Sequence, residues 1–142
     1  MTEERFISTQ YCDDVRQEIG NKVSLMGCYN HSMLVDHFPA NCPKLCVQVK
    51  VHTPTGRPFT SLSVRLMREE ELLAEVAIPA EALAAEVPPV DHLSHAKWLV
   101  TTALIVMTPF PVEKPCRLRV EAETEDGPLN GGSFWIDQAP GS

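Results

Sequence analysis

With 142 residues, 44% of them apolar and 22% charged, the chain can bury a core of its own and is too apolar for disorder. A net charge of −7, all of its excess in one acidic stretch, argues against the basic footprint that a nucleic-acid backbone requires. Residues 98–107 form the longest apolar-rich stretch, too short to span a bilayer, and no apolar segment behind Met1 reads as a secretory leader, so a cytoplasmic protein is expected.

A hairpin is expected first. Phe6 to Val15 and Val23 to Tyr29 are rich in aromatic and β-branched residues, and Gly20-Asn21 between them tolerates the positive φ of a tight turn. Residues 36–44 read as a loop, because Pro39 and Pro43 fix φ and remove donors. Val47, Val49 and Val51 alternate with Gln48, Lys50 and His52, the period of a half-buried strand, which predicts a strand over 45–53. After a turn at 54–58, Leu62, Val64 and Leu66 alternate with Ser63 and Arg65 on a strand over 61–68. Glu69-Glu70-Glu71 reads as a hairpin tip, with the return strand over 72–78.

Alanines at 80, 82, 84 and 85 favour a short helical segment over 79–86, with Pro79 at its first position and Pro88-Pro89 beyond its end. Residues 95–108 are apolar on both faces, and their β-branched density predicts a central strand. Pro109, Pro111 and Pro115 mark a loop. The last two strands are expected over 116–124 and 133–136, joined by residues 125–132, with 138–142 a frayed tail. About eight short strands with turn signals between them predict an all-β fold, a single antiparallel β-sandwich spanning residues 1–142.

Chemistry-bearing motifs are sparse. The five cysteines, at 12, 28, 42, 46 and 116, are odd in number, and at least four lie among residues typical of strands, which suits reduced, buried thiols. Cys42 and Cys46 are spaced to seat two metal ligands, but the second pair of a structural zinc site is missing. Asp13 and Asp14 offer oxygens to a hard cation, yet successive strand side chains diverge. His92 and His95 would share a face of a helical turn without further ligands in reach, and His31, His37 and His52 are scattered. No Gly-x-Ser-x-Gly elbow occurs, and Gly131-Gly132 opens a strand, not a phosphate-cradling helix. No catalytic residue, metal or cofactor is therefore expected.

Two charged features are candidates for partner binding. From Glu69 to Asp91 there are seven acids (Glu69, Glu70, Glu71, Glu75, Glu81, Glu86, Asp91) and no Lys or Arg, whereas the rest of the chain balances twelve acids against twelve bases. Such a patch speeds encounter with a basic partner, although charge runs are usually solvated faces. Glu69, Glu70, Glu71 and Glu75 head this group. The second feature is Asp14, Arg16 and Glu18, which on a strand share one face with Cys12 at its start and could orient a partner's loop.

The run from Tyr11 to Glu18 (Tyr-Cys-Asp-Asp-Val-Arg-Gln-Glu), followed by Lys22, Leu25 and Gly27, resembles the opening of a family of short uncharacterised all-β proteins of bacteria and phages. The resemblance covers roughly the first third of the chain. It implies a stand-alone intracellular domain and transfers no activity. The expected function is a non-enzymatic β-sandwich that binds a protein partner, with a homodimer possible and no contact with nucleic acid or membrane. The alternatives are a phage-type inhibitor whose acidic surface imitates nucleic acid, a metal-dependent hydrolase built on Cys12, Asp13, Asp14 or the histidines, and a structural subunit of a phage or other assembly.

Overall fold

The computed structural model describes residues 4–85 and 97–141. Glu86, Pro88, Pro89, Asp91, His92, His95 and Ser142 lie outside the described residues. The elements, in chain order, are β1 (Phe6–Glu18), β2 (Lys22–Cys28), β3 (Ser32–Val35), β4 (Ala40–Cys42), β5 (Leu45–Pro54), β6 (Leu62–Arg68), β7 (Glu71–Ile78), α1 (Ala80–Ala85), β8 (Trp98–Met107), β9 (Phe110–Val112), β10 (Cys116–Thr124) and β11 (Gly127–Gln138). The strands form a four-stranded sheet in the order β2-β1-β5-β8, a five-stranded sheet in the order β3-β11-β10-β6-β7, and a small pair, β4-β9. Among the described residues no helix is long and apolar enough to cross a membrane.

The fold is all-β, with the expected period-2 strands in place. The first hairpin turns at Gly20 (φ 90°) and Asn21 (φ 60°), the left-handed conformations that this dipeptide tolerates. Val47, Val49 and Val51 of β5 are fully buried opposite an inner layer from the larger sheet that includes Val64, Leu66, Leu118, Val120, Phe134 and Ile136. Each such side chain contributes about 1.5–3 kcal/mol by leaving water. Tyr11 stacks on Phe134 across the core, with ring centroids 4.0 Å apart.

Several expectations are corrected. Eleven strands in three sheets stand among the described residues where one eight-stranded antiparallel sandwich was expected. β3 was not foreseen, and it runs parallel to β11, Ser32 facing Trp135 and Val35 facing Gln138. Three-residue strands β4 and β9 lie within the two proline-rich loops, where a period of 2 has too few residues to show. The apolar strand β8 is not central: it lies at the edge of its sheet, pairing with β5 alone among the described residues. Its second apolar row reads as core in the sequence, yet Val100 and Val106 are exposed on the open face. β11 takes up the expected 125–132 loop almost entirely, leaving Glu125 and Asp126 as the turn. The expected frayed tail begins inside β11, and the Ala139 N–H donates to the Val35 carbonyl at 2.8 Å. Pro79 precedes α1, and its carbonyl accepts from the N–H groups of Ala82 and Leu83, so it caps the helix and does not open it.

One end of the body is closed by Arg5, a residue that sequence patterns do not single out. Its buried guanidinium donates to Thr53 Oγ1 (2.9 Å), the Arg57 carbonyl (3.1 Å) and Asp126 Oδ2 (3.3 Å), pairs with Glu125, and lies over the Phe59 ring at 4.4 Å. Glu125 in turn accepts the N–H groups of Thr60 (2.8 Å) and Ser61 (3.2 Å). Burial alone would raise the Glu125 carboxyl, but these donors and Arg5 hold it down at about 2.

Candidate functional site

The opposite end of the body carries both charged features. β1 pairs with β5 only as far as Cys12, which faces Cys46. Beyond that point β1 continues to Glu18 paired, among the described residues, with β2 alone, so that residues 13–28 project as a two-stranded arm. Within the arm Val15 faces Leu25 and Gln17 faces Val23. Val15, Val23 and Leu25 are half-buried but stand outside the main hydrophobic core. At the tip Ile19 is 94% exposed. An isolated two-stranded hairpin is marginal in water, so the arm needs anchoring at its base.

That anchoring is visible. Lys44 donates to Asp14 Oδ1 at 3.0 Å, in line with the β1–β5 register, and the pair holds the Asp14 carboxyl below and the Lys44 ammonium above their ordinary values. Asp13 diverges from its neighbour and accepts the Tyr29 hydroxyl, whose ring packs edge-on to Phe134 at 5.7 Å. Gly27 sits at φ 68°, a conformation that favours glycine, and a Cβ there would also displace the Asp13 carboxylate. Further out, Arg16 pairs with Glu18 at 2.6 Å, and Glu18 also accepts the Ser24 hydroxyl at 3.1 Å. Asp14, Arg16 and Glu18 are thus gathered on one arm.

The acidic turn is built differently. Glu69 and Glu70 form the β6–β7 turn, Glu69 at φ 51°, while Glu71 already belongs to β7. Together with Arg68, Pro111, Val112, Glu113, Lys114 and Cys116 they line an open groove of about 560 Å³. Glu69 is tied to β10: its carboxylate accepts the Arg117 N–H (3.0 Å), its own N–H donates to the Arg117 carbonyl (3.1 Å), and its carbonyl accepts from Arg119 (3.1 Å). Glu71 accepts from Arg68 at 3.0 and 3.2 Å, and Glu75 stands 3.9 Å from Arg65. Glu70 is nearly free, 92% exposed and 3.7 Å from Arg119. The acidic run lacks bases in sequence, but the fold brings arginines to it from β6 and β10. Glu86 and Asp91 lie outside the described residues.

Three of the five thiols form a row that sequence reading missed. Cys12 stands directly opposite Cys28 on β2 and directly opposite Cys46 on β5. Cys12, Cys46 and Cys116 are buried, Cys42 is half-buried and Cys28 is exposed, so three thiols are buried where at least four had strand-like surroundings. Burial, reinforced by Cys46 and Cys28, pushes the Cys12 thiol up to about 11, and burial raises Cys46 as well. The signal was present only as pair register: residues 12, 28 and 46 have no mutual spacing that a linear motif would reveal.

Among the described residues no three His, Cys, Asp or Glu side chains converge in a group able to hold a metal ion. His52 lies on β5 stacked on Phe6 at 4.2 Å, and burial followed by Lys50 lowers its pKa. No protein-family model matches the chain, and no curated protein matches it.

Proposed function

We propose that the chain is a non-enzymatic protein-binding domain, its two larger sheets forming one β-sandwich body that presents the β1–β2 arm to a partner protein. The partner's surface offers an apolar pocket to Ile19 and a charged rim to Asp14, Arg16 and Glu18. The observation that carries this reading is a tip isoleucine 94% exposed on a hairpin that runs beyond the last strand able to support it. A large apolar side chain held out in water on an anchored hairpin gains most by entering a pocket, and a few such residues dominate binding energy. The resemblance to short bacterial and phage proteins falls on this same segment, Tyr11 to Gly27. The acidic turn supports partner binding less well, because Glu69, Glu71 and Glu75 are already engaged with β10 and β6. Imitation of nucleic acid needs unpaired negative charge, which this pairing reduces.

Affinity capture from extracts of the producing cells, run in parallel with the wild type, Ile19→Asp and Glu70→Lys, tests the assignment. A protein held by the wild type and by Glu70→Lys but lost with Ile19→Asp is the expected result. Equal capture by all three would refute a role for the arm.

A further inference from the structure

The row Cys28–Cys12–Cys46 places two thiols directly across from a third, and register of this kind is what a disulfide needs. The Tyr29 N–H donates to the Tyr11 carbonyl at 2.9 Å, which makes Tyr11 and Tyr29 the hydrogen-bonded position of the β1–β2 ladder. Cys12 and Cys28 therefore occupy the adjoining non-hydrogen-bonded position, where Cα atoms approach to about 4.5 Å and side chains are closest. Directly opposed residues on antiparallel strands are about 4.5–5.5 Å apart, so Cys12 and Cys46 also fall within the 4.4–6.8 Å range that disulfides span. Only Cys28 of the three is exposed. Cys12 stands where the two ladders overlap, paired with β5 on one side and β2 on the other, so the row needs no backbone rearrangement to pair.

We propose that Cys28 and Cys12 form a dithiol site that reduces low-molecular-weight disulfides of the glutathione type, with Cys46 as a second partner for Cys12. The Cys28 thiolate attacks one sulfur of RS–SR, forming a mixed disulfide and releasing RS⁻, which takes up a proton. The Cys12 thiol then attacks the Cys28 sulfur as its proton passes to the departing group, forming the Cys12–Cys28 disulfide and releasing the second RSH. The two protein thiols lose two electrons and two protons in total, and the small disulfide leaves as two RSH. Cys46 can then attack the Cys12 sulfur, forming Cys12–Cys46 and returning Cys28 to the thiol, with no further oxidant consumed. The bond is thereby handed from the exposed β1–β2 pair to the buried β1–β5 pair. The site is independent of the arm's role in partner binding.

The test uses the whole chain incubated with oxidised glutathione, followed by thiol titration under denaturing conditions and peptide mapping of the linked cysteines. The five thiols are expected to fall to three, with no glutathione retained and with Cys12 in the disulfide. Cys46→Ala should give Cys12–Cys28 alone, and Cys12→Ala should stop at a persistent glutathione adduct on Cys28. Five thiols left unchanged, a persistent adduct in the wild type, or a disulfide that omits Cys12 would each overturn the proposal. Should Cys12→Ala fail to fold, the wild-type thiol count and the Cys46→Ala map decide it unaided.

Discussion

The two ends of the body handle charge in opposite ways. At one end Arg5 is buried and binds two carboxylates: Glu125, which also accepts two backbone N–H groups, and Asp126. At the other end the β1–β2 arm pairs Arg16 with Glu18 along its own surface, ties Asp14 to Lys44 at its base, and leaves Ile19 in water. Between these extremes stands the β6–β7 turn, where Glu69 is part of the scaffold and Glu70 is not. Charge count along the sequence does not separate these cases. A backbone N–H from a distant segment separates Glu125 and Glu69 from Glu70, because a carboxylate satisfied in this way is costly to remove and a solvated one is not.

This contrast breaks most sharply at Arg5. Arg5→Met should cost about 2 kcal/mol, since it removes the charge-assisted hydrogen bonds by which a buried guanidinium holds Thr53 Oγ1, the Arg57 carbonyl and the partly exposed Glu125 carboxylate; chemical denaturation with an unchanged slope measures it. If the loss is under about 0.5 kcal/mol, the closed end is not a clamp. The same end should fail first in acid. Glu125 titrates at about 2 in the folded chain, below its ordinary value, so its contribution is fully present above about pH 4.5 and is lost as pH falls toward 2. Denaturation series between pH 5 and pH 2 should show this decline, and Glu125→Gln should flatten it.

At the open end Ile19→Asp should weaken partner binding at least tenfold, about 1.4 kcal/mol, while leaving the thermal midpoint in place. A midpoint that drops with it would mean that Ile19 serves folding. Glu69→Ala should cost about 1 kcal/mol of stability through the Arg117 N–H that it leaves without its acceptor. Glu70→Lys, one residue away, should stay within about 0.5 kcal/mol. Equal effects at positions 69 and 70 would erase the distinction between scaffold and surface in that turn.

The strands with clean alternation were legible in the sequence: β5, β6 and β10 each bury one row and leave most of the other half-buried, and the Gly20-Asn21 turn followed from φ preference alone. β8 shows where the reading stops. Its two apolar rows imply burial on both faces, but periodicity carries no information about which strand lies at an edge. The short strands β3, β4 and β9 escaped because three or four residues cannot display a period. For the candidate site, the grouping of Asp14, Arg16 and Glu18 on one strand was legible from spacing of two. The arm's projection beyond β5 was not, because it depends on where a different strand begins. Likewise the neutralising arginines at 65, 68 and 119 lie outside the acidic run and reach it only through the β6–β7 and β6–β10 pairings.

The parallel pairing of β3 with β11 sets a clock on the assembly of the fold. Ser32–Val35 is made early, but the backbone groups that complete it belong to residues 135–138. At synthesis rates of roughly 5–20 residues per second, that interval of roughly a hundred residues lasts on the order of 5–20 s. During this time Met33, buried in the finished molecule, has no lid from β11, while the β1–β2 hairpin beside it can already form from local contacts. The emerging chain therefore shows its arm before it can close its core, and a nascent-chain helper that covers apolar strands would find its substrate in that window.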